Sequence, residues 1–389
     1  MHIPGITLLY VGLAFGLLVV PRALQRFHIP AQLTCFIFGI VAAIYITHLV
    51  GDEVSRVVAT LGIASLFLLA GLEVDFVEIR RQASRLSTHL GLRILFLVGL
   101  AWVAQRYAHI GWQAAILLGL GLLTPSTGFI LGALPTSGLA PAEQAEVSLN
   151  AITGEVTALL VLFVVSQAGS MAGLAISTGI LIALIVLTPF LFLFLGKYVM
   201  PYAPGSEFSL LMMVGILCAA VTQHLGVHYL IGAFVAGLVA SLLRTRIASL
   251  ASEENLNAVR LFASFFIPFY FFHEGLNVPA SALGPQAVLG GLALSAVVIP
   301  IRVAKIWLEA RFLSHRSARG AFRVSVALTP TLIFTLVIAE MLREMFHVSD
   351  ALYGSLLLYA AVTTILPSFV LPRLLDPVEV ATPVLEASG

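Results

Sequence analysis

Thirteen runs of apolar residues, each near the roughly 20 residues that a helix needs to cross a hydrocarbon layer, dominate this chain of 389 residues. They centre near positions 12, 40, 66, 97, 123, 157, 184, 216, 235, 268, 297, 332 and 361. Inside lipid a backbone must satisfy its own hydrogen bonds, which makes each run a helix. Composition agrees, since 60% of the residues are hydrophobic and 10% charged, a ratio that no soluble domain of this size could bury. The expected fold class is an all-α polytopic membrane protein with about 13 transmembrane helices. Boundaries are least marked between the eighth and ninth spans, around "HLGVHYL", and at the entry to the sixth after "PAEQAE".

Basic residues set the orientation, because cytoplasmic loops hold the excess of lysine and arginine. With the N-terminus outside, the inner loops and tail carry fourteen of the 20 basic residues. The outer loops carry only Arg56, Arg106 and Arg343, while Arg93, Arg302 and Lys305 fall within spans. This split predicts a multi-pass membrane protein with its N-terminus outside and its C-terminus cytoplasmic. A net charge of +1, sorted loop by loop, offers nucleic acid no basic patch. Cys35 and Cys218 lie in apolar runs without metal-ligand spacing and read as buried, inert thiols. The first run lacks a basic leader and a small-residue cleavage site, so it reads as a retained span. Only a short acidic tail follows Arg373, and neither a soluble regulatory domain nor a cofactor is expected.

Two spans are interrupted in the same way. "GLLTPSTGFILGAL" (Gly121 to Leu134) and "VALTPTLIFTLVIA" (Val326 to Ala339) share Leu-Thr-Pro, with Leu123 and Leu328 lying 205 positions apart. "AGLEV" (Ala70 to Val74) ends the third span and "EGLNV" (Glu274 to Val278) the tenth, with Gly71 and Gly275 lying 204 positions apart. Two echoes at nearly one offset predict inverted-topology repeats of six spans each, since spans seven apart cross in opposite directions. A single transporter domain over 1–389 is expected, with repeat one about 4–168, a linking helix about 171–197 and repeat two about 208–372.

Proline removes a backbone donor and clashes with the preceding turn, so Pro125 and Pro330, flanked by Thr329 and Thr331, should unwind their helices near mid-membrane. Loosened backbone at that depth is tolerated where it is buried in protein or lines a wet cavity, and half-helix ends there present carbonyls to an ion. Thr124, Ser126, Thr127 and, in the sixth span, Thr153 add side-chain oxygens. The alternative is a packing kink whose hydroxyls bond their own helix. Glu155, deep in the sixth span, costs several kcal/mol unless it binds a proton or a cation. Carboxylate, hydroxyl and carbonyl oxygens suit a hard monovalent cation such as Na⁺, and the carboxylate equally suits a proton. The other reading of Glu155 is a structural hydrogen bond between helices.

Arg302 and Lys305 lie one turn apart in the eleventh span and are the charge-balancing candidates for a deep carboxylate. Lys305, nearer the cytoplasmic end, could instead snorkel to the headgroups, and Arg93 is expected to snorkel inward from the fourth span. His273 and Glu274 in the tenth span read as a gate or proton relay, or Glu274 reaches outer water. Glu73 and Asp75, at the inner end of the third span, read as a solvated cluster with Arg80 and Arg81.

These residues resemble the monovalent cation:proton antiporters, specifically the second cation:proton antiporter family of bacterial sodium/proton exchangers and potassium-efflux (Kef-type) membrane domains. "LFLLAGLEVDF" (Leu66 to Phe76) is similar to that family's third-span signature, "LIGAFVAGLVAS" (Leu230 to Ser241) to its ninth and "FFIPFYFFHEGLNV" (Phe265 to Val278) to its tenth. The resemblance covers all thirteen spans and implies the sodium/proton antiporter fold, with broken fifth and twelfth helices crossing. It also implies a homodimer, in which a core bundle of spans four to six and eleven to thirteen moves against a dimerising bundle of spans one to three and eight to ten. Glu155 takes the place of the family's ion-carrying aspartate, while Gly154 leaves the preceding, commonly acidic or amide, position empty. Arg302 stands nine before Arg311, as the family's basic residue does, and Lys305 is additional. His273 and Glu274 replace small or apolar residues. Ile333 and Phe334 occupy a region where some members carry an acid.

The expected function is therefore exchange of a monovalent cation, Na⁺ first and Li⁺ or K⁺ as alternatives, for H⁺ by alternating access. One carboxylate trading one H⁺ for one Na⁺ moves no net charge, so exchange is expected to be electroneutral. The rival readings are a sodium-coupled symporter of an organic anion and a sensor on a transporter fold. No HExxH, GxSxG or paired aspartates supply an enzyme's catalytic group.

Overall fold

A computed structural model describes residues 4–27, 29–46, 49–81, 83–169, 171–203, 205–244, 246 and 252–374, so the acidic tail beyond Leu374 lies outside the described residues. Among them the chain is helical, without strands. The helices are α1 (Pro4–Leu24), α2 (Ala31–Tyr45), α3 (Glu53–Leu72), α4 (Phe76–Arg81), α5 (Ala83–Ala108), α6 (Trp112–Leu123), α7 (Thr127–Ala133) and α8 (Pro141–Gln167). After them come α9 (Met171–Tyr198), α10 (Glu207–His224), α11 (Tyr229–Leu242), α12 (Glu253–Leu276), α13 (Pro285–Phe312), α14 (Ala318–Ala327), α15 (Leu332–Phe346) and α16 (Asp350–Leu374).

Ten segments among the described residues are long and apolar enough to cross a membrane, and α14 with α15, bent by 47° at their break, makes an eleventh. Two shorter apolar helices, α2 and α11, stand where the second and ninth spans are expected. Every one of the thirteen apolar runs thus carries helix. With 15 and 14 residues, α2 and α11 are about 22 Å long at 1.5 Å per residue, short of the roughly 30 Å hydrocarbon thickness. α11 is buried along nearly its whole length, which is where non-helical backbone at membrane depth is tolerated. The uncertain eighth-to-ninth boundary is a turn in which Gly226 takes φ +79°, a conformation that glycine adopts without steric cost. Phe15, Trp102, Phe190 and Leu289 are 64–68% exposed, an outward apolar surface suited to acyl chains.

Two compact units make up the chain. The first comprises residues 1–88, 111–117 and 157–280, and the second 89–110, 118–156 and 281–389. The division assigns spans four to six and eleven to thirteen largely to the second unit, apart from the starts of α5 and α6 and the end of α8.

In the first unit α3 packs on α11 and α12, and α12 also packs on α2. The two glycines of the sequence echo carry these contacts. A Cβ on Gly71 would strike Phe234 O of α11 and lie 2.7 Å from Leu238 N, and one on Gly275 would strike Phe36 O of α2 and lie 2.9 Å from Gly39 Cα. Lipid gives helices no hydrophobic reason to associate, so close backbone approach at small residues supplies the packing instead. Exchanging each span with the one seven along turns the contact of spans three and nine into that of ten and two, as inverted repeats require. Glu73 pairs with Arg260 of α12 at 3.0 Å, and the Asp75 carboxylate accepts the Val77 N–H at 2.9 Å. Arg260 of α12 thus joins the acidic end of α3.

In the second unit α13 packs on α14 and α16, and α16 also packs on α15. The buried core at one end draws on Ile130, Leu134, Val147, Ala151, Ala310, Ala321 and Val324. Beside it, the entry to the sixth span is pinned by two ion pairs, Arg323–Glu143 at 2.8 Å and Arg316–Glu146 at 2.7 Å. Arginines counted by the charge rule as inner-loop residues therefore also anchor helix ends.

Candidate ion-binding site at two broken helices

Both Thr-Pro segments interrupt their helices. Thr124 to Ser126 separate α6 from α7, and Leu328 to Thr331 separate α14 from α15. The breaks satisfy one another's backbone groups. Ser126 N–H donates to Pro330 O at 2.8 Å, while the Ser126 hydroxyl oxygen accepts Ile333 N–H at 3.0 Å and Phe334 N–H at 3.5 Å. Thr335 Oγ1 donates to Gly121 O at 2.7 Å. Ser126 thus caps the helix opposite, not its own. Thr329 Oγ1 donates to Val326 O at 2.7 Å, and the Thr331 and Thr363 hydroxyls lie 3.0 Å apart. Thr124, Ser126, Thr127, Thr329 and Thr331 are all buried.

A helix C-terminus leaves carbonyls without intrahelical donors. Arg302, 2% exposed on α13, supplies donors to both breaks. Its Nη1 donates to Thr329 O at 3.1 Å and to Tyr359 Oη at 2.9 Å, and its Nη2 to Leu328 O at 3.2 Å and Leu123 O at 3.5 Å. Tyr359 Oη in turn donates to Leu122 O at 2.7 Å. One guanidinium therefore closes the C-terminal ends of α6 and α14 together, where cations are favoured by the helix dipoles. Its hydrogen bonds go to carbonyls and to a phenol, whereas the sequence reading made it the charge-balancing candidate for a deep carboxylate.

Glu155 is 5% exposed on α8, and its Oε2 accepts the Thr127 N–H at 3.2 Å. Thr127 Oγ1 is buried and has no hydrogen-bond partner among the described residues. A carboxylate beside an unsatisfied hydroxyl is a donor set that a small monovalent cation fits, because one ion would bridge both kinds of oxygen. Thr153 Oγ1 donates to Leu149 O at 2.7 Å, within its own helix.

Lys305 does not snorkel. Its Nζ pairs with Glu309 Oε1 at 2.9 Å, and Glu309 Oε2 lies 3.2 Å from His89 Nδ1. Arg93 does not snorkel either. Arg93, Asn150, Pro125, Arg302, Lys305 and Glu309 line a cavity of about 30 Å³, together with Phe96, Leu123, Ile306 and Leu328. The sequence reading missed Glu309, His89 and Tyr359. The Lys305–Glu309 spacing of four was a legible signal, whereas Tyr359 sits among apolar neighbours that announce nothing.

His273 and Glu274 belong to the first unit. His273 Nδ1 lies 3.2 Å from Ser55 Oγ and its Nε2 3.1 Å from Asn277 Nδ2. Glu274 is 7% exposed, so the reading in which it reaches outer water fails, because α12 turns it into packed protein.

Comparison with known proteins bears on this geometry. A relative from Methanocaldococcus jannaschii, named "Probable Na(+)/H(+) antiporter 3", is 24% identical over 368 residues, covering 90% of this chain and 92% of its own. The solved sodium proton antiporter MjNhaP1 from Methanocaldococcus jannaschii superposes with a TM-score of 0.66 at 12% identity, over 93% of this chain and 95% of that one. This likeness shows the fold. The family described as "Sodium/hydrogen exchanger, transmembrane" matches residues 12–376. With a family match over nearly its whole length and two broken helices meeting beside a buried glutamate, the chain belongs to the sodium/hydrogen exchangers.

Proposed function

We propose that this protein exchanges a monovalent cation for H⁺ at Glu155, with Na⁺ the first candidate and Li⁺ or K⁺ the alternatives. The observation that carries the reading is the buried Glu155 carboxylate, held by the Thr127 N–H beside an unpartnered Thr127 hydroxyl. A proton and a cation compete for the same oxygens, and that competition is the coupling. With one carboxylate at the site, one H⁺ leaves for each cation that enters, and exchange is electroneutral. Arg302 and Tyr359 keep both breaks unwound so that the site persists through the cycle. Alternating access moves the bundle carrying Glu155 as a rigid body. Repeats over about 4–168 and 208–372, linked by a helix over about 171–197, are part of this reading. So are a homodimer, a bacterial inner membrane, an outer N-terminus and a cytoplasmic C-terminus.

The test is dequenching of a ΔpH dye in everted vesicles on addition of Na⁺, Li⁺ or K⁺. Cation-specific dequenching by the wild type and none by Glu155→Ala is expected. No response to any of the three cations would overturn the reading.

A further inference from the structure

Gly154 stands inside α8 at an ordinary helical position, where glycine costs about 1 kcal/mol relative to alanine. It is absent from the positive-φ glycines, so backbone conformation does not explain it. The space beside it does. A Cβ on Gly154 would strike Arg93 Nη1 and lie 2.9 Å from Arg93 Cζ and 3.0 Å from Nη2. The guanidinium of α5 therefore rests in a notch that only glycine leaves open, one residue before Glu155. Among the described residues its one hydrogen bond is a long one, from Nη2 to Asn150 O at 3.4 Å, one turn earlier on the same helix. Arg302 commits its two terminal nitrogens to carbonyls and Tyr359, and Lys305 is paired with Glu309. Among the cations lining the cavity, Arg302 is thus held by carbonyls and a phenol and Lys305 by a carboxylate, whereas Arg93 is held chiefly by the shape of its notch.

We propose that Arg93 is a specificity-determining residue of the exchange site, a resident cation seated over Gly154 that sets how tightly Glu155 holds its transported ion. This rests on the reading of Glu155 as that site. A fixed positive charge seated over the residue that precedes Glu155 weakens capture of Na⁺ by the carboxylate, which eases its release. The other charged groups around it are Arg302, Lys305 and Glu309 on α13, with His89 of its own helix bonded to Glu309. All four stay in place in the variants below.

The experiment uses the full chain in proteoliposomes, with Na⁺-driven H⁺ flux measured against Na⁺ concentration at an alkaline pH where protons compete little. Arg93→Gln should lower the KM for Na⁺ by at least about tenfold, the effect that one charge has even roughly 12 Å away at an effective dielectric near 20, with maximal rate changing far less. Arg93→Lys keeps the charge and should stay within about twofold of wild type. Gly154→Ala pushes the guanidinium out without deleting it, so KM should fall in the same direction by a smaller factor; this variant carries the test if Arg93→Gln does not fold. A wild-type KM in both Arg93→Gln and Gly154→Ala, with Glu155→Gln inactive, would overturn the role of Arg93 and leave the site standing. Transport retained in Glu155→Gln would overturn the site, and the inference with it.

Discussion

Replacing Arg302 by methionine would remove the donors that close two half-helices at once. Two buried carbonyls, those of Leu328 and Thr329, and the part-buried carbonyl of Leu123 lose their partner. An unsatisfied buried carbonyl costs about 1–3 kcal/mol, so at about 1.5 kcal/mol each the two buried ones give about 3 kcal/mol. Tyr359→Phe strips the bond to Leu122 O and one contact with Arg302, for about 1–2 kcal/mol. Thermal unfolding in detergent, followed by tryptophan fluorescence, reads both. Trp307 reports locally, because its Nε1 donates to Ala318 O at 3.0 Å within the same unit. At about 2 °C per kcal/mol, the lower value for larger domains, Arg302→Met should lower Tm by about 6 °C and Tyr359→Phe by about 2–4 °C. Because the two side chains share a bond, the double variant should fall short of additivity by about 1 kcal/mol. Arg302→Lys keeps the charge but not the planar fork, and should lie between wild type and Arg302→Met. A methionine variant as stable as wild type, or strict additivity in the pair, would refute the capping role.

Glu143, 3% exposed, accepts Arg323 on Oε1 at 2.8 Å and the Ala140 N–H on Oε2 at 3.1 Å. Breaking this buried pair with Glu143→Ala should cost about 3–5 kcal/mol, whereas joint replacement of Glu143 and Arg323 by apolar residues should recover most of it, both read by Tm. Burial pushes the Glu73 carboxyl above the usual carboxylate range, and Arg260 pulls it only part of the way back. The folded state thus holds that proton more tightly than the unfolded one, so the contribution of Glu73 is full at acid pH and lost as pH rises through its folded value. Glu73→Gln should therefore gain stability relative to wild type as pH rises from about 4 to 8, and a pH-independent difference would contradict the shift.

Much of this was legible in the sequence because lipid removes alternatives. An apolar run of spanning length has to be helix, and a repeated Leu-Thr-Pro marks a pair of breaks. Proline alone would have misled, since Pro189, Pro268 and Pro300 lie inside continuous helices. What distinguishes Pro125 and Pro330 is the company of Ser126 and Thr335, whose hydroxyls serve the backbone of the opposite break. The Gly71 and Gly275 echo was visible as a pattern, but its cause, backbone-to-backbone approach, is a property of the partner helices. Arg93 was misread for a related reason. Snorkelling is the default for a lone cation in a span, and the sequence does not reveal that Gly154 leaves room for one guanidinium or that two helix ends need another. His273 and Glu274 stood out because polar residues in spans usually serve a function, but the sequence could not name the partners of His273, which are Ser55 and Asn277 within the first unit.

Competition between a proton and a cation for Glu155 is best tested by binding of radioactive sodium to the purified protein across a pH series. If the two share the carboxylate, the apparent Kd for Na⁺ rises about tenfold for each pH unit once protons occupy the site, and Glu155→Gln binds no Na⁺ at any pH. Sodium binding that is independent of pH, or that survives in Glu155→Gln, would contradict the account.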